Sequence, residues 1–174
     1  MSYISVDIES DDGSPATGSM VCFGAVLVSD HTKTFYGETK PITDTFNPEA
    51  LAISGFSREE HEKFQDPQKT MEEFEKWLDE VSEGHPVFIS DNPAFDWQWI
   101  NYYFHKYLGR NPFGFSARRI GDLYCGIVKH AGKNRNWKKF RKTKHTHNPV
   151  QDALGNAEAI LYMRDSLGLN ITLG

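Results

Sequence analysis

Residues Met20 to Ser29 hold the longest apolar stretch of the chain, Val21 to Val28, interrupted only by Gly24. The stretch is far too short to cross a bilayer. It reads as a strand apolar enough to lie centrally in a sheet. A second strand is legible in Tyr3-Ile4-Ser5-Val6-Asp7-Ile8-Glu9, where strict alternation puts Ile4, Val6 and Ile8 on one face. Thr32 to Lys40 reads as a third strand, and Ser29-Asp30-His31 is short enough to join it as a hairpin.

The stretch after Pro48 reads as short helical turns. Ser57 with Glu60, and Thr70 with Glu73, match the capping-box pattern. Met71, Phe74, Trp77, Leu78 and Val81 then recur at helical spacing, with Gly84 as the stop. Val87 to Ser90 reads as a short buried strand. Asn92-Pro93 opens an aromatic-rich helix to Leu108, ended by Gly109, and a shorter helix is expected from Asp122 to His130. Asn148-Pro149 pairs a good cap with proline at the first helical position, so a last helix should run to Leu167 and stop at Gly168. Three early strands followed by helices around a further strand predict an α/β fold, a mixed β-sheet flanked by helices on both faces. No repeat or linker divides the 174 residues, and residues 1–174 read as a single domain.

Net charge is −5, which argues against a protein that coats nucleic acid generally. Its distribution is more informative. Lys129, Lys133, Arg135, Lys138, Lys139, Arg141, Lys142 and Lys144 fall in a stretch, Leu123 to Gln151, that contains no Asp or Glu. Removing those eight from the 19 Lys and Arg leaves 11 against 24 acidic residues, a net of −13. One positive island on a negative body suits a polyanion, although a solvated lysine-rich face has the same composition. Trp137 and Phe140 interleave with the charges and either stack on bases or anchor the segment to the core. The two cysteines, Cys22 and Cys125, have no metal-ligand spacing and cannot make a disulfide framework. With no signal peptide in MSYISVDIES, a cytoplasmic setting without a membrane partner is expected.

Three segments carry candidate chemistry. Alternation sends Asp7 and Glu9 to one face of their strand, opposite Ile4, Val6 and Ile8. Neighbouring carboxylates repel unless a cation lies between them, though a solvent-facing strand side has the same pattern. Asp96 falls in the first turn of a helix that follows a buried strand, where the helix dipole alone would favour it. His147 precedes the last helix and Asp152 lies just over one turn inside it, so both can face one spot. Each segment alone is ambiguous.

Together, Asp7-Ile8-Glu9, Asn92 with Phe95-Asp96, and His147 with Asp152-Ala153 resemble the motifs of exonucleases named for four acidic residues plus a histidine. These form the DEDDh branch of the ribonuclease H-like superfamily, which includes oligoribonucleases, ribonuclease T and proofreading exonucleases. The resemblance covers roughly residues 3–165. It implies a ribonuclease H-like sheet and 3′–5′ hydrolysis from a free 3′-hydroxyl end to nucleoside 5′-monophosphates. It also implies two Mg²⁺ or Mn²⁺ ions on Asp7, Glu9, Asp96 and Asp152, and His147 as general base. All-oxygen donors fit those ions better than zinc.

Substrate contacts are expected from Ile8, Ser10, Asn92 and Phe95, and from Lys138, Lys139, Arg141 and Lys142 of the positive island. The partner expected is a single-stranded 3′ end, RNA somewhat before DNA, with a DNA-specific enzyme as the alternative. A non-catalytic nucleic-acid-binding subunit and an endonuclease of the same superfamily are the other readings weighed. Trp97, Trp99, Tyr102, Tyr103 and Phe104 offer more aromatic surface than one helix face needs, as a homodimer interface or a large core would require. The chain departs from the family where Ser10-Asp11-Asp12-Gly13 replaces the common Thr-Thr-Gly after the glutamate, with no evident hydrophobic wedge behind it. Asp91 also stands where a histidine often precedes the asparagine.

Overall fold

The computed structural model describes residues 1–173. Five strands form one sheet: β1 (Ser2–Ser10), β2 (Met20–Leu27), β3 (Asp30–Glu38), β4 (Pro86–Ser90) and β5 (Ala117–Arg119), in the order β3-β2-β1-β4-β5. β1, β2 and β3 are antiparallel neighbours, while β4 runs parallel to β1 and β5 parallel to β4. Among the described residues, six α-helices lie around the sheet: α1 (Pro48–Ile53), α2 (Arg58–His61), α3 (Pro67–Val81), α4 (Pro93–Leu108), α5 (Ile120–Val128) and α6 (Pro149–Leu167). None of them is long and apolar enough to cross a membrane.

The apolar face of β1 behaves as its alternation predicts. Ile4, Val6 and Ile8 are buried against a core built from α3 and α4, including Phe74, Trp99, Tyr103 and Phe104. Each such aliphatic side chain contributes roughly 1.5–3 kcal/mol by leaving water. The opposite face of the sheet is covered by α5 and α6, whose Tyr124, Ala153, Ala157 and Ile160 pack on Val26 and Ile89. Small residues on α6 bring its backbone close to β1: the Ser5 hydroxyl donates to the Ala153 carbonyl at 2.8 Å. The aromatic residues of α4 are largely consumed by this core, with Trp99, Tyr103 and Phe104 fully buried and Tyr102 still exposed.

Four local expectations need correction. α3 starts at Pro67, capped by the Asp66 carboxylate on the Gln68 amide, and Thr70 lies inside the helix. Asp-Pro combines a cap with a preset φ, which outcompetes Thr70-Glu73. The Thr70 hydroxyl instead donates to the Glu38 carbonyl, tying α3 to β3. The turn between β2 and β3 falls at Val28-Ser29, ahead of the expected Ser29-Asp30-His31. α5 begins at Ile120 and ends at Val128, with Lys129 in the left-handed region (φ 52°) and His130 beyond it. β5 was not anticipated, because three residues with two arginines carry no strand periodicity and only pairing with β4 makes them one.

Candidate active site

The polar side of β1 opens where the sheet ends. Ser5 on that side lies under α6, but Asp7 and Glu9 extend to the first turn of the helix. That turn is set by Asn148, whose side chain accepts from the Gln151 amide, and by Pro149 behind it. It can approach the sheet because Gly24, the register partner of Asp7 on β2, has no side chain. A β-carbon there would collide with the backbone of Pro149 and Val150. The result is that one oxygen each from Asp7, Glu9 and Asp152 falls within 4.8 Å of the others. Asp96 enters from the first turn of α4, 4% exposed, and lines the same cleft of about 340 Å³.

This concentration of negative charge has a titration signature. Burial, then the carboxylates of Asp96, Asp152 and Glu9, holds Asp7 well above the usual carboxylate range, and Arg141 acts in the opposite sense. Glu9 is raised to about 7 by burial and then by Asp152. Asp96 is also raised to about 7, chiefly by burial. Asp7, Glu9 and Asp96 therefore resist ionising together near neutrality without a cation. The donor set fits a divalent ion, being all oxygen. Asp152 adds a specific sign: its Oδ2 is buried with no hydrogen-bond donor. A buried unpaired carboxylate oxygen is strongly unfavourable unless a cation meets it.

His147 sits at the cleft edge in a left-handed backbone conformation (φ 59°), half exposed, with Nδ1 3.4 Å from Glu9 Oε1. Ile8, Ser10, Asn92 and Phe95 also line the cleft. The Asn92 side chain makes no cap hydrogen bond, so its amide is free to meet a ligand. Three contributors escaped the sequence reading. Ala50 and Ile53 reach the cleft from α1, with Ile53 52% exposed, and His145 stands beside His147. His145 had a usable signal in the spacing His145-Thr146-His147. Ile53 had none, since α1 is brought in by a long-range contact.

That contact explains the departure at Asp11. The Asp11 side chain points away from the cleft and is fully buried, accepting from the Ser19 amide and from Arg58 Nη1 at 3.1 Å, with His61 Nδ1 3.8 Å away. Its carbonyl accepts from the Asn47 amide at the start of α1. Asp11 is thus a fastener for α1 and α2, and only Asp12 of the two extra acids lines the cleft.

The positive island is less uniform than its sequence implied. Lys138 Nζ lies 2.5 Å from Asp91 Oδ2 on the cleft rim. Arg141 instead turns inward, its guanidinium bonded to Asn156 Oδ1 and 5.2 Å from the Trp137 ring centroid. Lys142 lines a separate depression with Glu158 and Tyr162, and Lys139 lies over the Phe140 ring. Trp137 is fully buried and Phe140 stacks on Tyr162 at 4.3 Å, so both anchor the segment and neither is free to stack on a base.

The strand order, with helices on both faces, defines an α/β fold of the ribonuclease H-like kind seen in DEDDh exonuclease structures. A family model described as the Rv2179c-like 3′–5′ exoribonuclease domain matches residues 2–163, and the chain belongs to that family. It is a 3′–5′ exonuclease, a hydrolase. It is 39% identical over 128 residues to the Escherichia coli 3′–5′ DNA exonuclease Cap18, covering 72% of this chain and 68% of that protein. Among solved structures it resembles the nuclease domain of 3′hExo, a DEDDh family member bound to rAMP. There the TM-score is 0.73 at 15% identity, covering 98% of this chain and 94% of that one. It also resembles cell-death related nuclease 4, with a TM-score of 0.74 at 15% identity, covering 94% of this chain but only 64% of that longer one.

Proposed function

We propose that this chain, as one catalytic domain, removes nucleotides singly from single-stranded 3′-hydroxyl ends and releases nucleoside 5′-monophosphates. The observation that carries the reading is the meeting of Asp7, Glu9 and Asp152, with a buried, donorless Asp152 oxygen and His147 beside Glu9. Asp7, Glu9, Asp96 and Asp152 would hold two Mg²⁺ or Mn²⁺ ions. When bound, such ions supply a water of lowered pKa and positive charge for the leaving 3′-oxygen.

The protein's own groups supply the rest. His147 takes the proton of the attacking water, and its half-exposed ring passes that proton to solvent. Phe95 gives the terminal base an apolar wall, and the free Asn92 amide is placed for a polar contact at the same end. Lys138 at the rim meets a backbone phosphate, for which it would leave Asp91. RNA is the favoured substrate, in keeping with the family's description as exoribonucleases. A DNA-specific reading has its own support in the 39% identity to a DNA exonuclease.

The test uses 5′-labelled RNA and DNA strands of identical sequence, with free or phosphate-blocked 3′ ends, in Mg²⁺, Mn²⁺ or EDTA. A metal-dependent ladder from free ends only is expected, faster on RNA. His147→Ala should bind Mn²⁺ yet lose about 10²–10⁴ in rate. Cleavage of blocked or circular strands, or a His147→Ala enzyme of full rate, defeats the proposal.

A further inference from the structure

His145 lines the cleft and is used by none of the roles above. Its Nδ1 lies 2.8 Å from Asp152 Oδ1, and its ring stands edge-to-face against His147, centroids 4.5 Å apart at 64°. We infer that His145 is a positioning residue that fixes the orientations of Asp152 and His147 relative to one another. The inference rests on the nuclease reading, because it gives those two groups their purposes.

The Asp152 carboxylate is carried by a helix but can still turn about its terminal bond, exchanging its two oxygens. The turn leading into α6 opposes this by setting two nitrogens against one oxygen. His145 Nδ1 lies 2.8 Å from Oδ1, and the Thr146 amide donates to the same oxygen at 3.2 Å. Oδ2 is left buried and donorless. A carboxylate facing Nδ1 selects the tautomer with its proton there. Partners that orient a metal-binding side chain in this way typically change metal affinity or activity about 10–100-fold when removed.

His147 needs support of a different kind. It is half exposed, on a loop, and its 3.4 Å approach to Glu9 is too long to hold a ring in place. The His145 ring is the neighbour that limits its swing. One imidazole therefore grips Asp152 by its nitrogen and His147 by its ring edge. The two contacts are chemically separable, which makes the inference testable.

The experiment compares wild type with His145→Ala, His145→Asn and His145→Phe. Mn²⁺ affinity is read by calorimetry without nucleic acid, then kcat and KM on a short strand at saturating Mn²⁺. His145 is half exposed, and thermal melts of all four proteins confirm folding. The alanine variant should lose about tenfold in Mn²⁺ affinity and about tenfold in kcat, with KM unchanged. Asparagine keeps a donor near the Nδ1 position and should recover affinity but not kcat. Phenylalanine keeps the ring and should recover kcat but not affinity.

Wild-type affinity and kcat in the alanine variant overturn the inference. So does a change in KM alone, which would make His145 a substrate contact, or identical behaviour of the asparagine and phenylalanine variants. Wild-type protein that binds no Mn²⁺ overturns the nuclease reading first, and this inference with it.

Discussion

Gly24 on β2 lies directly beneath the peptide that joins Pro149 to Val150, where a β-carbon would strike backbone. That contact sets how far the first turn of α6 descends toward Asp7, and hence where Asp152 meets the other carboxylates. Gly24→Val should lower stability by about 1–3 kcal/mol through overpacking. It should also abolish Mn²⁺ binding although no ligand is altered. A denaturant titration and a metal titration read the two effects, and a variant that keeps full metal affinity would show that α6 is positioned by other contacts.

Glu9 links the site to pH. Its folded pKa is raised from 4.5 to about 7, so below pH 4.5 it is protonated in both states and adds no penalty. As pH rises from 4.5 through about 7, the unfolded chain ionises while the folded one resists, and stability falls. Metal-free protein should therefore melt at lower temperature at pH 8 than the Glu9→Gln variant, with the difference vanishing near pH 4.5. Mn²⁺ at pH 8 should raise the wild-type melting temperature and leave the variant less changed. Parallel melting curves for the two proteins across that range would contradict the site's electrostatics.

The Asp11 fastener predicts a defect away from the chemistry. Asp11→Ala leaves Arg58, 16% exposed, and the buried His61 without their carboxylate, and should destabilise the chain by about 3 kcal/mol. Mn²⁺ affinity should be unchanged, while KM for a strand rises because α1 no longer holds Ile53 at the cleft. Loss of metal binding with normal stability would place Asp11 in the site itself.

Two lysines near each other in sequence should behave differently. Lys138 is at the cleft rim, whereas Lys142 faces the depression beside Glu158. Lys138→Ala should weaken strand binding and reduce the slope of log K against log salt by about 0.7, as for one phosphate contact on a single strand. Lys142→Ala should leave the slope unchanged. Equal effects would return the positive island to a diffuse field without a defined contact.

Much of this protein is legible in its residues taken in order. The alternation of Ile4, Val6 and Ile8 dictates a half-apolar strand with Asp7 and Glu9 on its other side, because side-chain direction in a strand repeats every two residues. Asn92-Pro93 and Asn148-Pro149 determine two helix starts, and Gly109 and Gly168 two stops, because caps act within one turn. Those local rules place the acidic residues and His147, and it is the resemblance of the combined motifs to a known exonuclease family that nominates them.

Tertiary structure alone decided the rest. It turned Arg141 inward and buried Trp137, tied Asp11 to Arg58 away from the cleft, carried Ile53 to the cleft, and set His145 against both Asp152 and His147. None of these follows from spacing, because each depends on contacts between segments far apart in the chain or on which way a loop side chain turns. A sequence specifies which groups can bear charge; only packing decides which of them face the same few ångströms of space.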